Sequence, residues 1–135
     1  MPRIEWNKDY SVGFRDIDVQ HQNWIDIHND LHELLISGNS NDVRGATMST
    51  LKAMRDYAVK HFSFEEEYMQ TIGYPDKERH AQIHRAFEGM VENYVDDIKN
   101  GDVVLNTDIM KILRSWLVNH ILNEDKKYGE FAAAN

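Results

Sequence analysis

The chain has 135 residues, 41 % of them hydrophobic and 28 % charged, with a net charge of −8 and no cysteine. The acidic balance excludes nucleic acid and anionic membranes as partners, because phosphate groups attract basic surfaces, and the lack of cysteine excludes disulfide scaffolds, thiolate metal sites and thiol nucleophiles. No apolar run has the length of a signal-peptide core or of a membrane span, so we expect one soluble, cytoplasmic domain over residues 1–135.

Residues 1–16 predict an irregular arm, in which Trp6, Tyr10 and Phe14 are available to pack on a helical body. An apolar stripe at helical period follows and stops near Gly38, where the sequence SGNSN favours a turn. This stripe predicts the first helix and consists of Ile17, His21, Trp24, His28, Leu31 and Leu35.

Two further stripes follow, and the turn signal GYP at 73–75 separates them. The second stripe consists of Leu51, Met54, Ala58, His61, Phe62, Glu65, Met69 and Ile72. The third stripe ends before Asn100 and Gly101 and consists of His80, His84, Phe87, Val91, Tyr94 and Ile98. Both stripes have the spacing of amphipathic helices.

A fourth stripe begins after Asn106 and Thr107, either of which can cap a helix. It consists of Ile109, Ile112, Leu113, Trp116, Leu117, His120 and Ile121. No segment has the pattern of a strand, so four long helices with short connections predict an all-α, antiparallel up-down-up-down four-helix bundle over about 17–127. The residues after Tyr128 have no clear pattern and are expected to form a short tail.

Polar side chains occupy several inward positions of these stripes, where a plain bundle has leucine or alanine. Each alone has an ordinary explanation. A single histidine on an apolar helix face is more often structural, the pair in HAQIH at 80–84 is accidental about as often as it is a metal site, and HFSFE at 61–65 alone indicates a surface ion pair. The residues concerned are His21, His61, Glu65, His80, His84 and His120.

The distances of these residues from the turns predict that they lie in one layer of the bundle. Positions 61 and 65 precede the turn near residue 73 by 12 and 8 residues, and positions 80 and 84 follow it by 7 and 11. At about 1.5 Å per residue the two pairs are nearly level. The same reasoning at the other turns extends the layer to His21, His120 and Asp125.

Five imidazoles and two carboxylates would be costly to bury without partners, and metal ions would offset that cost. They exceed the four ligands of a tetrahedral zinc site and suit two first-row ions bridged by the carboxylates. Ligand type alone fits iron, manganese or zinc. The E-x-x-H pattern of ferritin-like sites and the H-E-x-x-H pattern of zinc proteases are both absent.

The sequence resembles the hemerythrin family over nearly its whole length. The resemblance is carried by an ordered set of motifs, each weak alone: DIDVQH at 16–21, HFSFE at 61–65, GYP at 73–75, HAQIH at 80–84, and WLVNH at 116–120 followed by Asp125. It implies a non-haem centre of two iron ions, joined by an oxo or hydroxo bridge, that binds O2 reversibly and needs no catalytic residue.

The resemblance also implies a role for each ligand. One iron, without a free position, would be held by His80, His84 and His120. The other iron, which keeps a position for O2, would be held by His21 and His61. The bridges would be Glu65 and Asp125. The apolar O2 pocket would consist of Trp24, Phe62, Leu117 and Ile121, with Ile25 and Trp116 nearby. Trp24 is bulkier than the aliphatic residue expected at its position, which would narrow the pocket.

Geometry and resemblance differ on the carboxylate of the fourth helix. His120 and Asp125 are five residues apart, about 140° on an ideal helix, whereas Glu124 is four residues away and fits a regular helix better. The resemblance favours Asp125. We therefore predict that the fourth helix ends, or contains a π-type distortion, at this point.

Four other polar residues are expected to lie outside the site. His28 and His32 are on the inward face of the first helix, one to two turns beyond the layer and without a facing carboxylate, so structural roles are expected. In the run EEE at 65–67, Glu65 faces inward, and Glu66 and Glu67 are expected on a solvated face.

These observations favour a monomeric oxygen carrier, store or delivery protein whose ligand is O2. The alternative is an O2- or redox-sensing signalling module cut from a longer protein, since such a domain would have the same residues. An enzyme such as a peroxidase, nitric oxide reductase or ferroxidase ranks last, because the sequence offers no acid, base or positive patch for a substrate.

Overall fold

Four long helical segments make up most of the chain in the computed structural model, which describes residues 3–37 and 40–135. Helix α1 spans Arg15–Ser37, α2 spans Ser40–Ile72, α3 spans Lys77–Lys99 and α4 spans Thr107–Asn119. The last of these continues through a π-helical segment, His120–Asp125, into α5, Lys126–Ala134. No strand occurs in the described ranges, which confirms the predicted all-α four-helix bundle. Within the same ranges, no helix has both the length and the apolar character needed to cross a membrane.

The turns between the helices use residues that the sequence marks for them. Gly73 ends α2 with a φ of 72° and Gly101 ends α3 with a φ of 81°, in the left-handed region that favours glycine. The side chain of Asn106 accepts a hydrogen bond from the backbone N of Ile109 at 3.0 Å, which confirms one of the two predicted caps of α4. The predicted stop of the first helix near Gly38 lies outside the described residues.

The core consists of two apolar clusters on either side of the polar layer. On α1, for example, buried Ile17 belongs to one cluster, buried Trp24 to the other, and His21 lies between them. Each large apolar side chain that is fully buried contributes about 1.5–3 kcal/mol, so both clusters fix the helices that hold the layer. One predicted inward residue is wrong: Ile112 is 46 % exposed, because α4 turns its neighbour Leu113 to the core.

The N-terminal arm is irregular, as predicted, apart from one turn of 3₁₀-helix, and it is tied to α1 near both of its ends. The backbone N and O of Ile4 each form a 2.8 Å hydrogen bond with the side-chain amide of Asn29. The carboxylate of Asp18 accepts from Ser11 Oγ at 2.5 Å and from the backbone N of Val12 at 2.9 Å. The arm therefore lies fixed along the first helix.

The C-terminal segment differs from the short tail that the sequence predicted. Helix α5 extends to Ala134, and Tyr128 on its first turns is fully buried. Gly129 allows the helix to approach the arm closely, since a Cβ at this position would lie 2.4 Å from the carbonyl oxygen of Val12. The arm thus packs on this segment at Val12, and no pattern within the segment itself indicates the contact.

Candidate metal centre

Five histidine and two carboxylate side chains meet in one buried layer, to which all four helical segments contribute. Each of the seven is at most 4 % exposed. They are His21 of α1, His61 and Glu65 of α2, His80 and His84 of α3, and His120 and Asp125 of the π-helical segment. The structure thus brings together all seven residues that the sequence predicted as ligands.

One group of ligand atoms surrounds the Oδ1 atom of Asp125. The Nε2 atoms of His80 and His120 each lie 3.0 Å from this oxygen. The Nε2 atom of His84 lies 3.1 Å from that of His120. All four side chains present a ligand atom within 4.8 Å of the others, so together they could hold a metal ion.

A second group lies on the other side of Asp125. Its Oδ2 atom is 3.0 Å from His21 Nε2, and Glu65 Oε1 is 2.6 Å from His61 Nε2. Asp125 therefore contributes one oxygen to each group. Glu65 Oε1 also lies 3.9 Å from the Nε2 atoms of both His21 and His84, so it faces the space between the groups.

The spacing of these atoms fits first-row metal ions. Metal–nitrogen bonds of about 2.1 Å at right angles would set neighbouring ligand atoms about 3.0 Å apart. The nitrogen and oxygen atoms around Asp125 lie at 3.0 Å, close to that value. Buried polar atoms without a hydrogen-bond partner include His21 Nε2, His80 Nε2 and both oxygens of Asp125. Bound cations would satisfy these atoms, and the mixture of imidazole and carboxylate suits iron, manganese or zinc.

Two outer contacts orient the imidazoles toward the centre of the layer. The Nδ1 atom of His61 lies 2.7 Å from Gln20 Oε1, and the Nδ1 atom of His84 lies 2.9 Å from Glu66 Oε2. Since both oxygens can only accept, each Nδ1 carries the proton and donates it. Each Nε2 then keeps its lone pair for a metal ion, as is usual for histidine ligands.

Two residues that contact the layer, Glu66 and Tyr128, were not predicted from the sequence to do so. The prediction that Glu66 lies on a solvated face is wrong, since its side chain is 26 % exposed and contacts His84, whereas Glu67 is exposed as expected. Tyr128 was assigned no role, yet its hydroxyl donates to Glu65 Oε2 at 2.5 Å. The only available signal was that Glu66 directly follows a ligand in the sequence.

The segment His120–Asp125 is π-helical, which confirms the predicted distortion. A π-helix brings residues five apart onto one face, so His120 and Asp125 both point into the layer. Glu124 instead points outward, where Arg79 of α3 donates to its two oxygens at 2.9 and 3.3 Å. The geometry therefore agrees with Asp125, and not Glu124, as the carboxylate of the layer.

The two carboxylates create a strongly negative interior that attracts positive charge. Burial by itself raises the pKa of Glu65, as does Asp125, but the nearby imidazoles outweigh both effects and lower it to about 2. Burial likewise disfavours a charged His21, but the adjacent carboxylates of Asp125 and Glu65 raise its pKa to about 9. At His84 burial prevails and lowers the pKa to about 3. The carboxylates are therefore ionised and require nearby positive charge.

Aromatic rings cover one side of the layer. The ring of Phe62 stacks on His84 with centroids 3.8 Å apart, and Trp24 lies 5.5 Å from the ring of His61. Trp116 stacks on His120 at 4.3 Å and also lines a surface groove of about 540 Å³ between α3 and α4. The four residues predicted to form the O2 pocket are all buried: Trp24, Phe62, Leu117 and Ile121.

His28 and His32 are buried on α1, 7 and 11 residues beyond His21, which is about two and three helical turns from the layer. Neither belongs to the two groups of metal-competent side chains found among the described residues. Burial, with the nearby charges of His32 and Arg114, lowers the pKa of His28 to about 4, so this residue is neutral near pH 7. Structural roles remain the prediction for both.

Comparison with known protein families gives a match over most of the chain. Residues 12–132 match the family model described as the hemerythrin HHE cation binding domain. A bacteriohemerythrin of Methylococcus capsulatus (Bath) is 36 % identical over 124 residues, which cover 92 % of this chain and 90 % of the relative. A bacteriohemerythrin of Stenotrophomonas maltophilia is 31 % identical over 135 residues, which cover 100 % of this chain and 85 % of the relative.

Solved structures give the same relation at the level of the fold. A crystal structure of wild-type hemerythrin superposes with a TM-score of 0.87 at 32 % sequence identity. The superposition covers 96 % of this chain and 97 % of the other. Sequence and structure therefore point to one family over nearly the whole length of both chains.

Proposed function

Because the chain belongs to the hemerythrin family, we propose that it binds O2 reversibly at two iron ions held between its helices, as an oxygen carrier, store or delivery protein. The family and the two histidine–carboxylate groups support a di-iron protein of the hemerythrin type. The observation that carries the proposal is the position of Asp125, whose two oxygens each lie 3.0 Å from imidazole nitrogens of a different group. One carboxylate shared by two groups is what a pair of bridged metal ions requires.

The two groups would hold iron unequally. The group around Asp125 Oδ1 has three imidazoles, and the group around Oδ2 has two. The three-imidazole group would therefore leave its iron less room for a further ligand than the two-imidazole group, where O2 would bind. Bound iron would supply the electrons that O2 accepts on binding and returns on release. The three-imidazole set is His80, His84 and His120, and the two-imidazole set is His21 and His61.

Glu65 would complete the pair of carboxylates between the irons. Its Oε1 atom faces both groups, and its Oε2 atom accepts the hydroxyl of Tyr128 at 2.5 Å. The phenol therefore fixes the rotation of the carboxylate and leaves Oε1 directed toward the metal ions. Tyr128 does not ionise near neutral pH, since burial and the nearby carboxylates raise its pKa well above its ordinary value.

The apolar side chains next to the two-imidazole group would protect the bound gas. Trp24 and Phe62 are buried and lie within 6 Å of the ring of His61, measured between ring centroids at 5.5 and 5.9 Å. Leu117 and Ile121 of the last helical segment are also buried. Such a wall excludes water and the protons it delivers, which favours release of O2 unchanged.

We favour a carrier over an enzyme because reversible binding needs only ligands and an apolar pocket. The relatives reported above are named bacteriohemerythrins and not as enzymes. Moreover, the protonatable groups of the layer are already engaged with one another as ligands or partners of ligands. No group in the layer is left over to act as a general acid or base.

The test is a visible absorption spectrum recorded over repeated cycles of oxygenation. Protein loaded with two iron ions per chain is reduced without air, exposed to O2 and then flushed with argon. An absorption band that appears with O2 and disappears under argon is the expected result. His61→Leu, which removes a ligand of the open position, should abolish the band. A wild-type protein that binds iron but gives no reversible band would refute the O2-binding proposal.

A further inference from the structure

The two metal-binding groups differ in the charge of the residues behind their imidazoles. In the two-imidazole group, His61 donates its Nδ1 proton to the neutral amide oxygen of Gln20 at 2.7 Å. In the three-imidazole group, His84 donates its Nδ1 proton to the carboxylate of Glu66 at 2.9 Å. The corresponding Nδ1 atom of His21 has no hydrogen-bond partner. An anionic contact of this kind is thus described for only one of the two groups.

Glu66 is itself connected to the protein surface. Its Oε2 atom, the one that accepts from His84, also accepts from Arg85 Nη2 at 2.6 Å. Arg85 in turn lies 2.9 Å from Glu88 Oε2. The exposed fraction of the side chain rises from 0 % at His84 to 26 % at Glu66 and 53 % at Arg85. A short chain of charges therefore leads from a buried imidazole to solvent.

We propose that Glu66 is a positioning residue that lowers the reduction potential of the iron held by His84, and that Arg85 moderates this effect. The inference rests on the proposed iron binding at the layer. The two irons would then differ in reduction potential for two reasons. One is the number of imidazoles that hold each iron, and the other is the charge of the residue that accepts the Nδ1 proton of an imidazole.

The sign of the effect follows from the hydrogen bond. A carboxylate that accepts the Nδ1 proton makes the imidazole a stronger donor at Nε2, and a stronger donor stabilises the ferric over the ferrous ion. Removing the charge of Glu66 should therefore raise the potential. Arg85 withdraws negative charge from the same oxygen, so its removal should strengthen the effect of Glu66 and lower the potential.

The experiment compares two variants with opposite predicted signs. Glu66→Gln keeps the shape and an acceptor oxygen but removes the charge. We expect this variant to shift the equilibrium constant for adding one electron to one iron about tenfold toward the ferrous form. Residues that hydrogen-bond to histidine ligands change metal affinity about 10- to 100-fold, and the lower value is taken here for one oxidation state against the other. A tenfold shift corresponds to about 59 mV for a single electron. Arg85→Met should shift the same constant in the opposite direction.

Matched variants control for the change in net charge. Glu67→Gln removes an equal charge from the next residue, which is exposed. Arg55→Met removes an arginine that pairs with Asp56 and Glu92, away from the layer. Both should leave the potentials within a twofold change in equilibrium constant. In the double variant Glu66→Gln/Arg85→Met, the second substitution should add nothing, because Arg85 acts through Glu66.

The potentials are measured by spectroelectrochemistry without O2, on protein whose iron content has been counted. Shifts of the same sign in Glu66→Gln and Arg85→Met, or equal shifts in Glu66→Gln and Glu67→Gln, would overturn the inference. A third outcome would also overturn the inference: Glu66→Gln loses its iron, and Arg85→Met releases iron to a chelator at the wild-type rate. The contact of Glu66 with His84 would then be merely structural. None of these outcomes depends on O2, so failure of the proposed O2 binding is seen separately in the oxygenation spectrum.

Discussion

Replacing Asp125 with asparagine tests the ligand assignment most directly, because this residue alone belongs to both groups. Its two oxygens lie 3.0 Å from three imidazole nitrogens, and the side chain is fully buried. Asparagine has nearly the same shape but no charge, and its NH2 group cannot bind a cation. The substitution therefore removes one ligand atom and half of the negative charge of the layer at once.

The magnitude follows from what smaller changes cost. Residues that merely contact a metal ligand change metal affinity about 10- to 100-fold when they are removed. A direct ligand shared by two ions should exceed this range, so we expect Asp125→Asn to weaken iron binding at least about 100-fold, or about 2.8 kcal/mol. The protein should retain its helices, since both apolar clusters of the core are unchanged.

Glu124→Gln provides the matched control, because it makes the same chemical change one residue earlier. Glu124 forms an ion pair with Arg79, whose side chain is 55 % exposed, so removing the charge of Glu124 should change the stability little. The iron content of the Glu124→Gln variant should remain that of the wild type. Iron is counted per chain after gel filtration and during competition with a chelator, and circular dichroism verifies the helix content. Retention of iron by Asp125→Asn and its loss from Glu124→Gln would refute the assignment.

Two further predictions concern the C-terminal helix. Gly129→Ala places a methyl group 2.4 Å from the carbonyl oxygen of Val12. Overpacking of about 1–3 kcal/mol should outweigh the higher helix propensity of alanine, so urea unfolding should show a net loss of stability. Gly89→Ala in α3 is the control, because a methyl group there meets nothing within 4 Å; it should gain about 0.5–1 kcal/mol of stability. Equal gains in both variants would show that α5 does not contact the arm. Tyr128→Phe should destabilise the metal-free protein by about 1.5–3 kcal/mol, the usual contribution of a hydrogen bond to a charged group, and should speed the loss of iron to a chelator. Unchanged stability in this variant would mean that the phenol does not hold Glu65.

Sequence reasoning predicted the parts of this molecule that follow from periodicity within one helix. The inward stripes predicted four helices, and counting residues from the turns placed the polar side chains at one level. The five-residue separation of His120 and Asp125 was informative because it conflicts with a regular helix, and the π-helical segment resolves that conflict. In each case the signal lies in spacing along a single segment.

Contacts between segments were harder to predict, because they depend on how one helix is rotated against another. Within the run EEE, only its place directly after Glu65 distinguishes Glu66 from Glu67. The position of α3 decides that His84 contacts Glu66. The contact of α5 with the arm likewise joins Gly129 to Val12, which lies near the opposite end of the sequence. Propensity and pattern describe one segment at a time, so these partners had no signal of their own.

The residues next to the proposed ligands connect the buried polar layer to the packing of the bundle. Consecutive residues of a helix point about 100° apart, so when a ligand faces the centre, its neighbour faces the seam with an adjacent helix. Three polar neighbours in this position make contacts across three different seams: Gln20 with His61, Glu66 with His84, and Glu124 with Arg79. The first two contacts hold a ligand on the next helix, and the third holds the π-helical segment against α3. A substitution at Gln20 or Glu66 should therefore alter the geometry of the layer through the helix beside it, without removing a ligand atom, whereas Glu124 touches no residue of the layer through its side chain.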